Sequence, residues 1–274
     1  MTTGEVRASA EWLALREPAD AAARSRELTE QLRSSLPPGG VMTIHDFGCG
    51  TGSMARWLAP QLPGPQHWVM HDRDAELLSL ADGLLPAAAA DGSPVTVETR
   101  QRDITEPDAG ELAGATLITA SALLDMMTAE ELERLVATCA AADCPVLITL
   151  SVTGRVDLVP SDPFDPQIAD AFNAHQRRTT GVRTLLGPDA FGVAVDSLTE
   201  LGLDVLVRPS PWRLGPGESA LAVEWFNGWV GAACEQRPEL VDATDAYTRR
   251  RLAEVAAGQL SITVHHSDLL AVPR

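Results

Sequence analysis

Ile44-His45-Asp46-Phe47-Gly48-Cys49-Gly50-Thr51-Gly52 places one carboxylate and three alternating glycines at a change of periodicity. Upstream, Val41 to Asp46 is a short apolar run ending in an acid, as a buried strand would read; downstream, Ser53 to Leu58 carries apolar residues at helical spacing. The glycines therefore occupy a strand-to-helix turn, where the missing side chains tolerate positive φ and let a ligand approach the backbone. A turn of this form binds a small cofactor.

Asp46 selects among cofactors. A dinucleotide would bring a pyrophosphate into the turn, and a carboxylate two residues before Gly48 would repel that anion in a partly desolvated site. S-adenosylmethionine brings a sulfonium and an ammonium group instead, which the same carboxylate attracts. Spacing agrees, since Gly48, Gly50 and Gly52 form Gly-x-Gly-x-Gly, whereas the dinucleotide pattern wants its third glycine at position 53, where Ser53 stands.

Two further acids follow in order. His67 to His71 predicts a second strand ending at Asp72, 26 residues after Asp46, where a carboxylate can accept both hydroxyls of a ribose. Val95 to Thr99 alternates as a third strand, and the triplet Arg102-Asp103-Ile104 then offers a carboxylate to an adenine amino group. Together with Ser121 to Asp125, these motifs resemble the ordered motifs of class I S-adenosylmethionine-dependent methyltransferases over roughly residues 40 to 155. The resemblance implies cofactor contacts at Asp46, Gly48, Cys49, Gly50, Asp72 and Arg73, and at Asp103, Ile104, Ala120 and Ser121 on the next two strands. Cys49 reads as a small packing residue rather than a nucleophile.

The rest of the chain fits around that core. Ala115 to Ala120 and Pro145 to Leu150 predict a fourth and a fifth strand, separated by a helix that opens on the capping box Thr128-Ala129-Glu130-Glu131. Leu203 to Arg208 predicts a sixth strand, 218–234 and 240–257 two helices, and Leu260 to His265 a final strand running antiparallel. The expected fold is α/β: a doubly wound, mostly parallel seven-stranded sheet, Rossmann-like, with ligands at its carboxyl edge. Four regions follow: an N-terminal helical cover over 1–38, the S-adenosylmethionine-binding core over 39–155, an acceptor-site insertion over 156–202, and strands and helices completing the same domain over 203–274.

In the cover, Pro18 is expected at the first turn of a second helix, and the resemblance implies that this segment closes the cofactor site, with Arg16 or Arg24 reaching the methionine carboxylate. The insertion follows the proline-rich loop 159–166 and carries Asn173, His175 and Arg177. Trp212-Arg213-Leu214 reads as a loop, and this segment together with the Trp225 and Trp229 face and His266 to Leu270 resembles a bacterial subgroup of small-molecule methyltransferases. His175 is expected to contact the acceptor or act as base, with Asp125 the other catalytic choice. His45 and His71, lacking a third ligand at fixed spacing, read as packed neighbours on adjacent strands rather than a metal site.

Charge removes several functions. The chain of 274 residues has a formal net charge of −17, and every one of its 21 basic residues is arginine, with no basic stripe among them. Nucleic acids and anionic membranes are therefore disfavoured partners. Four cysteines without a regular spacing fit a reducing compartment, the residues after Met1 lack a basic-then-apolar signal pattern, and no apolar run approaches the roughly 20 residues of a membrane span. A cytoplasmic enzyme acting on a small-molecule acceptor is expected, with no metal and with its oligomeric state open. The same turn would serve aminocarboxypropyl transfer, cyclisation or a non-catalytic cofactor-binding scaffold, and a nicotinamide oxidoreductase is disfavoured by Asp46 and Ser53.

Overall fold

In the computed structural model the described residues are 8–37, 39–84, 86, 88–106 and 109–274, so Met1 to Arg7 and Pro38 of the expected cover lie outside them. Strands β1 (Met42–Phe47), β2 (Gln66–Asp72), β3 (Val95–Gln101), β4 (Leu117–Ser121) and β5 (Val146–Val159) run parallel. Helices α1 (Ala10–Ala23) and α2 (Arg26–Ser35) precede them, with α3 (Ser53–Leu58), α4 (Ala75–Leu84) and α5 (Ala129–Ala141) between them. After β5 come α6 (Asp165–Gln176), the small hairpin β6 (Thr179–Thr180) and β7 (Arg183–Thr184), and α7 (Ala190–Glu200). Strands β8 (Asp204–Pro209) and β9 (Trp212–Leu214), helices α8 (Ser219–Gln236) and α9 (Val241–Ala256) and strand β10 (Ser261–Val272) complete the order.

The sheet order β3-β2-β1-β4-β5-β10-β8 reverses direction of growth between β1 and β4, which opens a crevice at the carboxyl ends of the parallel strands. Its two faces are covered by separate apolar cores. Leu132, Leu135 and Val136 of α5 and Ala194 and Leu198 of α7 bury one face, and Leu28, Leu32, Met54 and Leu58 bury the other. The α5 capping box forms as its sequence requires, with Thr128 Oγ1 accepting from the Glu131 backbone N–H at 3.2 Å and the Glu131 carboxylate accepting from Thr128 N–H at 2.9 Å.

Three local expectations are corrected. Pro18 sits inside α1 rather than opening a second helix; the break falls instead at Arg24, after which the Ser25 side chain caps α2 by accepting from Leu28 N–H. A proline in mid-helix forfeits one backbone bond, and α1 withstands this because Glu17 is ion-paired to Arg56 at 2.6 Å and the Asp20 carboxylate accepts from Trp212 Nε1 at 2.9 Å. Trp212 to Leu214 is not a loop but β9, an antiparallel partner of β10. The fifth and last strands are longer than read: β5 runs on to Val159 and β10 through His265 and His266 to Val272.

That extra length shapes the site. β4 pairs with β5 only from Val146 to Thr149, so the remainder of β5 projects beyond the carboxyl edge, paired with β10 from His266 back to Ser261. The projecting ribbon and β9 supply Leu158, Ile262, Val264, Trp212 and Leu214 to a third apolar core, closed by α6, α8 and α9 through Ile168, Phe226, Trp229 and Tyr247. The main chain bends at this departure, where Leu150 holds a left-handed φ of +57° and donates its N–H to the buried Asp268 carboxylate at 2.7 Å.

Candidate active site

β1 ends against the glycine turn, and the turn is left-handed at each glycine: φ is +63° at Gly48, +55° at Gly50 and +82° at Gly52. At Gly48 the left-handed φ is what favours glycine; a Cβ there would also stand 2.8 Å from Leu123 Cδ1 and push that side chain aside. Asp72, at the tip of β2, locks the turn: its Oδ2 accepts from Gly50 N–H at 2.8 Å while Oδ1 accepts from Asp74 N–H at 2.9 Å. Each oxygen keeps acceptor capacity toward the crevice. On the next strand end, Asp103 accepts from the Thr105 N–H and hydroxyl; against the burial that would raise it, these bonds hold the carboxyl below the ordinary range.

Asp46 is the most buried of the three acids. Its Oδ1 accepts from Thr119 Oγ1 at 2.7 Å, and Oδ2, shielded from solvent, has no partner among the described residues. Burial pushes its carboxyl up to about 7, opposed by the Thr119 bond and by the Arg24 charge. An orphaned carboxylate oxygen at the wall of a cavity is what a cationic ligand would satisfy, so the residues present fit a sulfonium or ammonium group. The same burial, with the Asp46 and Asp72 charges, drives the Cys49 thiol upward and leaves it protonated. This is packing chemistry, not nucleophile chemistry.

These residues line one cavity of about 600 Å³. Asp46, Gly48, Cys49, Gly50, Asp72, Arg73, Asp103, Ile104, Ser121 and Asp125 all stand on its walls. Arg24 and Ala120 do not. The Arg24 guanidinium is buried behind the cavity, donating to Ser53 Oγ at 3.2 Å and Ser121 Oγ at 3.1 Å and lying over the Trp57 ring, while Ala120 packs into the core under α5. Strand alternation explains the latter, since Ser121 and Ala120 must face opposite ways. Arg16 rather than Arg24 reaches the cavity from the cover, its charge met by Asp20 at 3.0 Å.

Sequence reasoning did not single out Ser9, Trp12, Leu13 and Asp20 of the first helix segment, or Arg183 after the hairpin turn, all of which also line this cavity. Their amphipathic spacing marked a packed face but not which cavity it would cover. Leu13 Cδ1 lies 3.1 Å from where a Cβ on Gly50 would stand, which places α1 directly across the glycine turn.

A second cavity of about 360 Å³ lies against the first, between the projecting ribbon and α6. The two share Trp12, Arg16, Ala122, Asp125 and Met126 as common walls. Asn173 and His175 line only the second, together with Phe172, Trp212 and Trp225. His175 Nε2 meets the Glu235 carboxylate at 3.1 Å, and burial with the nearby Arg178 charge lowers its pKa below the ordinary imidazole value. Arg177 turns away, paired with Asp189 on the outside. Trp229 is core, stacked at 5.3 Å beneath Trp225.

His45 and His71 meet on adjacent strands, His45 Nδ1 lying 3.0 Å from His71 Nε2 with the rings stacked. Burial lowers both to about 4, so they are neutral packing partners. Among the described residues there is no group of three or more metal-ligating side chains, and no helix is long and apolar enough to cross a membrane.

Residues 44–143 match the family model described as "Methyltransferase domain". With the sheet order above, this defines the class of that region: residues 44–143 form an S-adenosylmethionine-dependent methyltransferase domain built on a Rossmann-like sheet. Among solved structures, a mycolic acid cyclopropane synthase complexed with SAH and CTAB is 12% identical, with 95% of this chain and 94% of that one covered and a TM-score of 0.50. A cyclopropane synthase from Mycobacterium tuberculosis is 11% identical over 96% of this chain and 94% of its own, also with a TM-score of 0.50. At such identities the likeness is one of fold. No curated protein sequence matches the chain significantly.

A direct check of the cofactor end follows. Asp72→Ala removes a carboxylate that both orients the turn and can accept ribose hydroxyls, each charge-assisted bond worth about 1.5 to 3 kcal/mol. Calorimetry should record S-adenosylhomocysteine affinity weakened at least about tenfold, with the domain still folded. An unchanged affinity would remove Asp72 from the cofactor site.

Proposed function

We propose that the enzyme transfers a methyl group from S-adenosylmethionine, held along the glycine turn, to a small-molecule acceptor held in the second cavity. One observation carries this reading: the two cavities share a wall, and Asp125 stands on it. Bound S-adenosylmethionine supplies an electrophilic methyl on a sulfonium. Asp46 would face its cationic end, Asp72 the ribose and Asp103 the adenine, while Arg16 and Trp12 close the junction against water. In-line displacement needs the acceptor atom about 3 to 3.5 Å from the methyl carbon, which makes positioning the chief task of the protein.

Asp125 is suited to take the proton from a hydroxyl or protonated amine acceptor. Burial pushes its carboxyl up to about 6, against the opposing influence of its own backbone bond and of the Arg16 and Arg178 charges. A carboxyl so placed is mostly ionised at neutral pH yet far more basic than an exposed aspartate. His175, in the second cavity alone, is assigned to acceptor contact. His175→Ala should therefore lower turnover while leaving S-adenosylhomocysteine affinity within about twofold; full activity on the native acceptor would return His175 to a purely structural pairing with Glu235.

The experiment that tests the function uses methyl-labelled S-adenosylmethionine with an extract of the source cell, followed by mass spectrometry. Labelled product together with S-adenosylhomocysteine is the expected result. Release of methylthioadenosine instead would indicate aminocarboxypropyl transfer, and cofactor binding without turnover on any extract would leave a scaffold.

A further inference from the structure

The wall of the second cavity carries one guanidinium with no carboxylate paired to it among the described residues, in a strongly acidic protein. Three guanidinium groups reach it, and two are already neutralised: Arg16 by Asp20 at 3.0 Å and Arg155 by Asp157 at 2.8 Å. Arg178 is different. Its Nη1 donates to the His175 backbone carbonyl at 3.0 Å and lies 3.3 Å from His175 Nδ1, but no carboxylate pairs with it among the described residues, and its Nε and Nη2 have no protein partner there. It is half-buried, so those donors stay reachable from the cavity.

Other charges on the walls do not cancel it. Of the three imidazoles on the wall, His266 is lowered to about 3 by burial and His175 is lowered as well, leaving these two neutral near pH 7, while His265 Nε2 meets the Asp157 carboxylate at 2.7 Å. Asp125 is the one carboxylate on the second cavity's wall among the described residues; it stands on the wall shared with the first cavity, within the field of Arg178 but without an ion pair to it. The lining also presents the aromatic faces of Phe172, Trp212 and Trp225, beside the polar Asn173 and Gln176.

We propose that the acceptor is an organic acid with an apolar, ring-bearing body: its carboxylate binds the open side of Arg178, and its nucleophilic atom points to the junction at Asp125. The inference rests on the methyl-transfer reading above and names the substrate class for it. One guanidinium with two free donors matches a carboxylate, which can take a parallel pair of N–H bonds. A phosphate dianion would keep surplus negative charge, facing Asp125 in a chain whose net charge is already −17.

The test is binding of three probes to the protein saturated with S-adenosylhomocysteine, followed by ligand-observed NMR: phenylacetate, its neutral isostere phenylacetamide, and phenyl phosphate. Phenylacetate should bind at least about tenfold more tightly than the amide, Arg178→Gln should erase that preference, and Arg178→Lys should retain part of it while S-adenosylhomocysteine affinity stays at the parent value in both variants. Equal binding of acid and amide, binding of neither, or a preference that survives Arg178→Gln overturns the proposal. Tighter binding of phenyl phosphate overturns the carboxylate assignment. Failure of the parent protein to bind S-adenosylhomocysteine at all would instead strike the underlying methyl-transfer reading, so the two failures are distinguishable.

Discussion

Asp125→Asn is expected to lower turnover by about 100-fold or more while S-adenosylhomocysteine binding stays near that of the parent, since a general base contributes roughly 10² to 10⁴ and the amide keeps the side chain's shape. The pH profile gives an independent reading. A base acts when ionised, and the Asp125 carboxyl is raised to about 6. Its ionised fraction is therefore nearly complete above pH 7 and lost as pH falls through 6. For the parent enzyme kcat/KM for the acceptor, read at saturating S-adenosylmethionine so that the bound cation keeps Asp46 ionised, should be level above neutrality and decline by one proton's slope below about 6, and the Asn variant should lack that limb. A flat profile from pH 5 to 8 would show that the acceptor reaches the methyl group without proton removal by Asp125.

Gly50→Val should abolish measurable cofactor binding, a loss of about 100-fold or greater. The left-handed φ of +55° is strained for any β-branched residue by about 1 to 3 kcal/mol. Relief would move the Gly50 N–H away from Asp72 Oδ2, now 2.8 Å distant, and the added methyls would press on Leu13 of α1. Gly50→Ala isolates the backbone part and should cost less. Circular dichroism establishes that the variant is folded, and calorimetry with S-adenosylhomocysteine reads the loss; parent-like affinity for Gly50→Val would make the turn purely structural.

What could be read before folding was local. The glycine turn, the strand-ending acids and the Thr128 capping box each lie within a few residues of sequence, and each is dictated by backbone geometry or by one hydrogen-bonded pair. β9 was missed because three residues between Pro211 and Gly215 carry no periodicity of their own; their partner is Ile262 to Val264. The length of β5 was hidden for a similar reason, since the stretch after Leu150 is held extended by β10 beyond the sheet, with Val152 and then Val156 to Val159 paired either side of an irregularity. The second cavity has no local signature at all. Its walls come from α1, the loop after β4, α6, β9 and α8, and only the tertiary fold brings Trp12, Asp125, His175, Trp212 and Trp225 together. Arg24 shows the opposite limit: its position in the cover was readable, but its turn inward to Ser53 and Ser121 was not.

The place of β10 in the sheet bears on how the chain is made. β8 has β10 as its only sheet neighbour among the described residues, and β10 also pairs with β5 along nearly its whole length. On the ribosome, where synthesis proceeds at about 5 to 20 residues per second, β8 emerges well before its partner and waits, with Leu206 and Val207 and the unpaired edge of β5 uncovered. Sheet completion is thus a late and long-range step. A nascent chain arrested ahead of Ser261 would hold the whole cofactor turn and still lack the strand that joins the two halves of the molecule, making that interval the one in which aggregation competes best with folding.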